Sequence, residues 1–241
     1  MKMNLTRNFI DQDFFLNTKL ILEKMSSHHL LKVLRKKEGD EIVLFDGKGN
    51  SCLGVISKIY RTQIELEIIN IFESAPRSGI KIILGQSLIK NDPFNFTIQK
   101  ATELGITSFQ PLITDRSVVK IKMTKNRSLK WNLIAIGACE QCGENWLPVI
   151  EEPIKLDKWA STVKSKIKIV LYPGADNRIS DLDYEDSVAL AIGPEGDFTD
   201  YEVDSLTEKG FIPVSIGKRI LRAETAAISA ISSVRFSTKE F

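Results

Sequence analysis

Ala191-Ile192-Gly193-Pro194-Glu195-Gly196-Asp197-Phe198 opens a stretch that runs to Ala227 and decides the fold. It continues through Phe211-Ile212-Pro213-Val214-Ser215-Ile216-Gly217 and closes with Lys218-Arg219-Ile220-Leu221-Arg222-Ala223-Glu224-Thr225-Ala226-Ala227. Two glycine-containing loops each follow an apolar run, and the second opens a helix. Val188 to Ile192, bounded by a Gly-Pro turn, reads as a buried strand. Thr199 and Glu202 have capping-box spacing, so a helix starts at Asp200. Gly210 lies just past it, where a left-handed residue ends a helix. Phe211 to Ile216 reads as a second strand, and Pro213 within it argues for an edge or an unpaired N–H position. Glu224 to Val234, rich in Ala and Ile, reads as the last helix. Open α/β sheets bind ligands at the carboxyl ends of their parallel strands, so these loops are also the first candidate site.

The same alternation extends back to Lys81. Lys81 to Gly85 is a strand, and Phe94, Ile98 and Ala101 sit at helical spacing before the stop at Gly105. Ser108 to Ile113 is a strand, Ser128 to Cys142 a helix, and Lys168 to Tyr172 a strand ending in Pro173-Gly174. Strands alternating with helices predict an α/β domain with a mainly parallel sheet. Residues 1–72 read differently. Arg7 to Ile10, Glu41 to Phe45, Cys52 to Ile59 and Gln63 to Ile71 are short strands, with Asp46-Gly47 as a hairpin turn. Ser27 is placed to cap a helix over His28 to Leu34. Short strands with tight turns suggest a small β-barrel. Residues 73–79 are polar, with Pro and Gly, and read as a linker to a second domain over 80–241.

Composition narrows the class. The chain has 241 residues, 43% apolar and 27% charged, as expected for a globular protein of one large or two modest domains. A net charge of +2 is too small to argue for nucleic acid by itself. No apolar run approaches the roughly 20 residues of a membrane span. The N-terminus lacks a signal-peptide core. Three cysteines, an odd number, argue against a secreted disulfide scaffold. The cytoplasm is the expected location. Gly217-Lys218 lacks the earlier glycine and following hydroxyl of a P-loop, and no Gly-x-Gly-x-x-Gly follows a strand.

Ile192-Gly193-Pro194-Glu195-Gly196, followed by Ile216-Gly217-x-Arg219-Ile220-Leu221-Arg222-x-Glu224-Thr225-Ala226, resembles the RsmE family of bacterial 16S ribosomal RNA methyltransferases. The resemblance also takes in Leu30 to Arg35, Leu44 to Gly47, Phe96 to Gly105 and Ala138 to Gly143, so it spans nearly the whole chain. It implies a C-terminal SPOUT-type domain tied in a trefoil knot and an N-terminal PUA-like RNA-binding β-barrel. It further implies S-adenosylmethionine as methyl donor and N3 of a uridine in 16S rRNA, in the small ribosomal subunit, as acceptor. A homodimer through the C-terminal domain, with the partner helping to enclose the site, is implied too. The knot rests wholly on the resemblance, since knots are rare and periodicity shows none. Three departures stand out. Asp197 replaces a usual Gly, Ala223 a usual Thr, and Lys90-Asn91-Asp92-Pro93 a more basic, Gly-containing turn.

On this reading three loops hold the cofactor. The first contributes Leu171, Tyr172 and Pro173. The second contributes Ile192, Gly193, Pro194, Glu195 and Gly196. The third contributes Ser215, Ile216 and Gly217, then Ile220, Leu221, Arg222, Glu224 and Ala226. The glycines permit close backbone approach, and Ile216, Ile220 and Leu221 offer an apolar slot for adenine.

Uracil N3 carries a proton and is a poor nucleophile until it leaves. The site must orient the reactants, help remove that proton and stabilise charge on the base. The sulfonium is already activated, so no metal is expected. Arg222, Glu224, Glu195 and Arg7 are the catalytic candidates. Arg222 could hold uracil oxygens or a phosphate, or could pair with Glu224. Glu195 could accept a proton or bind backbone N–H groups. Glu224 stands at a helix start, where the dipole favours a carboxylate whatever its function. Arg7 matches an N-terminal family arginine; an exposed strand charge is its other reading.

Two basic clusters could contact RNA phosphates or simply be solvated. One is Lys32, Arg35, Lys36 and Lys37. The other is Lys120, Lys122, Lys125, Arg127 and Lys130. Cys139 and Cys142, one helical turn apart, read as a packed face rather than half a zinc site, as there is no second pair. The alternatives are a SPOUT-type methyltransferase on another RNA and a non-catalytic RNA-binding protein of the same fold, which Asp197 and Ala223 would favour.

Overall fold

The computed structural model describes residues 5–74, 76–77, 79–117 and 125–240. They form two compact units: Met1–Ser78 with Cys139–Leu147, and Gly79–Ala138 with Pro148–Phe241.

The first unit is a five-stranded sheet. Its strands are β1 (Thr6–Phe9), β2 (Lys19–Ile21), β3 (Glu41–Phe45), β4 (Ser51–Ile59) and β5 (Ile64–Ile71), in the order β1-β3-β4-β5-β2. β1 runs parallel to β3; the other pairings are antiparallel. Strand alternation turns Ile42, Leu44, Cys52, Ile56, Ile64, Leu66 and Ile68 into one apolar cluster. Each such large side chain contributes about 1.5–3 kcal/mol when fully buried. The β3–β4 turn is fixed by Asp46, whose carboxylate accepts from Lys48 N at 2.7 Å and from Asn50 N at 3.1 Å.

Ser27 is not a helix cap. The helix α1 (Lys24–His28) begins before it and continues into a π-helical turn, His29–Val33. The buried Ser27 hydroxyl instead donates to Leu22 O and accepts from Ile64 N, tying α1 to β5. Residues 139–147 group with the first unit, while the parts of the chain on either side of them group with the second. The reason is local pairing with β1 and the hairpin. Phe9 N donates to Glu140 Oε1 at 3.0 Å, Leu147 N to Gly47 O at 2.9 Å, and Gly49 N to Asn145 O at 3.2 Å.

The second unit is a parallel sheet covered on both faces. Its strands are β6 (Lys81–Ser87), β7 (Ser108–Ile113), β8 (Val149–Ile150), β9 (Ile154–Lys155), β10 (Ile167–Leu171), β11 (Ser187–Ile192) and β12 (Ile212–Val214). The order is β12-β10-β11-β6-β7-β8, with β9 also on β7, and every pairing is parallel. Val188, Ala189, Leu190 and Ala191 are all fully buried, as a strand covered on both sides requires. The helices are α2 (Asn91–Glu103), α3 (Lys125–Cys142), α4 (Leu156–Thr162), α5 (Asp200–Glu208) and α6 (Ala223–Ser237). α2 and α6 pack together, and α6 also meets β6 and β11. Ala189 and Ala191 face α4 and α5 through Trp159, Val203 and Leu206.

The start of α5 follows from its cap. Thr199 Oγ1 accepts from Glu202 N at 3.1 Å, and Glu202 Oε2 accepts from Thr199 N at 2.9 Å. Pro213 sits on the sheet edge, in a strand whose ladder is with β10.

Candidate active site

β12, β10 and β11 are adjacent and parallel, so the loops that leave their carboxyl ends emerge side by side. They enclose a cavity of about 480 Å³. Leu171, Tyr172 and Pro173 line it from the first loop, and Ile192, Gly193, Pro194 and Glu195 from the second. Ser215, Ile216, Gly217, Ile220 and Leu221 line it from the third, together with Arg222, Glu224 and Ala226 at the start of α6. Gly196 is not part of the wall; its carbonyl accepts from Arg116 Nη1 at 2.9 Å.

Sequence reasoning missed Lys90, Pro93, Asp197, Val214, Arg219 and Ala223 as lining residues. Lys90 and Pro93 follow β6, the neighbour of β11, so strand order supplies the signal that the isolated motif lacks. Asp197 and Ala223 were visible as departures from the family pattern.

Backbone geometry shapes the pocket. A side chain at Gly193 would meet Asp197 Oδ1 at 2.8 Å and Phe198 N at 3.1 Å. The second loop can therefore fold back on itself only with glycine there. Gly217 has φ of 138°, which other residues rarely adopt. Asp197 has φ of 60° and steadies it with its own carboxylate, whose Oδ1 accepts from Phe198 N at 2.8 Å. Burial pushes this carboxyl above its usual range, while the Phe198 N–H and Arg116 pull the other way. Tyr172 donates to Asp200 Oδ1 at 3.0 Å, and that carboxylate raises the phenol.

Of the four catalytic candidates, Arg222, Glu224 and Glu195 line this cavity. Arg222 is exposed at the N-terminal end of α6 and, among the described residues, forms no ion pair with Glu224. Glu224 lies in the first turn of the same helix. Glu195 Oε1 accepts from Lys90 N at 3.2 Å, which is the backbone-binding role. Arg7 belongs to the first unit and is not an exposed strand charge. Its Nη2 donates to Asn145 Oδ1 at 2.5 Å and to Glu144 O at 3.2 Å, and its guanidinium lies 4.8 Å from the Phe45 ring centroid. Burial lowers its affinity for the proton.

Lys32, Arg35 and Lys37 are exposed and Lys36 half-buried around the end of the π-helical turn. Lys120 and Lys122 lie outside the described residues. Lys125 begins α3, Lys130 is exposed, and Arg127 Nη2 donates to Asn91 Oδ1 at 3.4 Å. Cys139 is buried and Cys142 exposed, and burial pushes the Cys139 thiol up to about 12. Among the described residues no cluster of His, Cys, Asp or Glu is arranged to hold a metal, and no helix is long and apolar enough to cross a membrane.

Comparison with known proteins places this cavity in context. The RNA methyltransferase domain family matches residues 76–235, and the RNA methyltransferase PUA domain family matches residues 24–69. The ribosomal RNA small subunit methyltransferase E of Buchnera aphidicola subsp. Schizaphis graminum is 34% identical over 98% of this chain and 97% of its own. Its counterpart from Bacillus subtilis is 30% identical over 88% of each chain. A methyltransferase from Legionella pneumophila, solved with the bound cofactor SAM, superimposes with a TM-score of 0.94 at 34% identity, covering 98% of both chains. The ribosomal RNA small subunit methyltransferase E from Neisseria gonorrhoeae, bound to S-adenosyl methionine, gives 0.90 at 31% identity, over 97% of this chain and 98% of that one. The chain therefore belongs to the ribosomal RNA small subunit methyltransferase E family.

Proposed function

We propose that this protein is an S-adenosylmethionine-dependent methyltransferase that modifies N3 of a uridine in 16S rRNA of the small ribosomal subunit. One observation carries the reading: the family's loop motifs converge on a single cavity at the carboxyl ends of three adjacent parallel strands. The cavity fits such a cofactor. Its size falls within the roughly 300–1,000 Å³ of small-ligand pockets. Gly193 lets the second loop close against Asp197 and Phe198, where a side chain would clash, and so keeps the shape of the wall. Leu171, Ile192, Val214 and Leu221 give it apolar walls.

When bound, S-adenosylmethionine supplies an activated methyl group. The protein's part is to bind, orient and discharge. Ile216, Ile220 and Leu221 offer the apolar slot for adenine, with loop backbone supplying hydrogen bonds. Arg222, exposed at the cavity and unpaired with Glu224, is the group to hold uracil oxygens as negative charge develops after loss of the N3 proton. Glu224 is the better placed base, since one oxygen of Glu195 is engaged by Lys90 N. The basic clusters, of which Lys32, Arg35, Lys37 and Lys130 are exposed, serve RNA phosphates.

We also infer a trefoil knot in the second unit, a PUA-like barrel in the first, and a homodimer. The chain after β12 pairs with the loop joining β10 to β11, a contact that is in keeping with the knot. Ser215 N donates to Asn177 O at 2.9 Å, Ile179 N donates to Ser215 O at 3.3 Å, and the 3-10 turn Ile179–Asp181 packs on α6. Ile220 lines the cavity yet is 90% exposed, which suits a partner subunit covering it. A cytoplasmic location follows from a ribosomal substrate.

Nucleoside mass spectrometry of rRNA from a deletion strain is the test. Loss of 3-methyluridine from 16S rRNA, restored by the gene, is expected; an unchanged 16S profile overturns the substrate. Calorimetry with S-adenosylmethionine separates an enzyme from a non-catalytic binder. Sedimentation at micromolar concentration showing a 27.1 kDa monomer would overturn the dimer.

A further inference from the structure

We propose that the Asp197 carboxylate is a charge-selective element of the cofactor site, taking a cationic group of the bound cofactor. This rests on the cofactor reading above and extends it to a residue where the family pattern has glycine.

Asp197 occupies the left-handed region, φ 60°, where glycine is free and aspartate is among the few tolerated alternatives. That conformation carries the carboxylate back over Gly193. Asp197 Oδ1 lies 2.8 Å from where a Gly193 side chain would begin, and both residues line the cavity. The carboxylate is half-buried. Among the described residues its hydrogen bond is the one from Phe198 N, and it forms no ion pair. Arg116, after β7, is the nearby cation, but its Nη1 donates to Gly196 O and Phe198 O. Tyr172 after β10 senses Asp197 and is itself bound to Asp200 at the start of α5. Asp197 is thus a half-buried negative charge beside other acidic groups. The remaining charged lining residues are Lys90, Glu195, Arg219, Arg222 and Glu224.

A carboxylate so placed is under-compensated until a ligand brings positive charge to it. S-adenosylmethionine carries two cationic centres, the sulfonium and the α-ammonium. S-adenosylhomocysteine keeps only the second, and 5′-methylthioadenosine has neither. Burial raises the Asp197 carboxyl, and a bound cation would lower it again by favouring the ionised form. Affinity for the charged ligand is then greatest above the free carboxyl's raised pKa and falls as pH drops through it.

The test is calorimetry of the full chain with these three ligands, on wild type, Asp197→Asn and Asp197→Gly. Asn keeps the turn conformation and the acceptor for Phe198 N; Gly removes the backbone strain altogether. Both variants should bind S-adenosylmethionine about tenfold more weakly, the usual scale of a lost charge-assisted contact, with melting temperatures no lower than wild type. Both should bind 5′-methylthioadenosine unchanged. Wild-type affinity should fall towards acid pH, and the Asn variant should lose that slope. An added loss for S-adenosylmethionine over S-adenosylhomocysteine assigns the contact to the sulfonium; equal losses assign it to the ammonium. Unchanged S-adenosylmethionine affinity in both variants, or an equal loss for 5′-methylthioadenosine, overturns the proposal. Failure of the wild type to bind S-adenosylmethionine would instead overturn the cofactor reading and this inference with it.

Discussion

Arg7 and Arg222 both match arginines of one family pattern, yet their surroundings are opposite. Arg7 is packed in the first unit against the Phe45 ring, with Asn145 Oδ1 and Glu144 O accepting hydrogen bonds from its Nη2. Arg222 stands exposed beside a cavity, and among the described residues no carboxylate pairs with it. The same contrast separates the regions around them. The Arg7 cluster joins β1 to residues 139–147 through partly buried polar groups that are mostly paired, Arg7 Nε being buried without a hydrogen-bond partner among the described residues. The loops after β10, β11 and β12 line a cavity with Glu195, Arg219, Arg222 and Glu224 among their charged residues. Satisfied burial marks a structural charge, whereas a held but uncompensated charge at a cavity marks one available to a ligand.

The sharpest test of the contrast is Gly193→Val. The new side chain must displace the Asp197 carboxylate and the Phe198 backbone, so the second loop cannot keep its shape. S-adenosylmethionine binding should be lost by calorimetry while the protein still melts cooperatively. A folded variant with normal affinity would remove the cavity from the site. Arg222→Ala comes next. If the guanidinium acts on developing charge, single-turnover methylation at saturating RNA should slow on the order of a hundredfold, with a smaller loss of RNA affinity. Neutralising Lys32, Arg35 and Lys37 together should do the reverse, weakening RNA binding and flattening its salt dependence. Near-normal turnover in Arg222→Ala would erase the distinction between the two arginines.

Arg7→Ala should act on stability instead. Removing the guanidinium strips Asn145 Oδ1 and Glu144 O of a donor, which costs about 1–3 kcal/mol when such groups stay buried. A lower melting temperature is expected, with turnover at saturating substrates changed far less than in Arg222→Ala. A variant that melts normally but has lost turnover would move Arg7 to the catalytic side.

How far the sequence alone carries depends on the range of the interaction. The Thr199–Glu202 box, the Gly210 stop and the Asp46-Gly47 hairpin were readable because each is decided within a few residues. The parallel sheet was readable because strands and helices alternate at full length. β2, β8 and β9 have only two or three residues each, too few to show a period, and α4 has seven. Ser27 carried a cap signal, but a tertiary partner, Ile64 N, took its hydroxyl. The return of residues 139–147 to the first unit is set by contacts more than a hundred residues apart in the chain, which no local pattern records. Likewise the motif glycines pointed to the cavity, but Lys90 and Pro93 joined it only through the adjacency of β6 and β11.

The smallest predicted effect probes whether the Arg7 cluster is as well compensated as it looks. Glu140 Oε1 accepts from Phe9 N at 3.0 Å, yet burial is the dominant influence on this carboxyl and raises it, with the Phe9 N–H, His29 and Arg7 opposing. A carboxyl raised in the folded state holds its proton to higher pH than in the unfolded chain. Between those two values the native state binds more protons, so stability falls as pH rises through that window. At neutral pH the ionised Glu140 is therefore a net burden. Glu140→Gln keeps an acceptor for Phe9 N and removes the charge. It should raise the melting temperature slightly at neutral pH, and the gain should shrink as pH falls and wild-type Glu140 takes up its proton. A variant that melts lower than wild type at neutral pH would mean that the attraction of Arg7 outweighs desolvation. The cluster would then be held by charge pairing, and Arg7 would differ from Arg222 only in already having its anion.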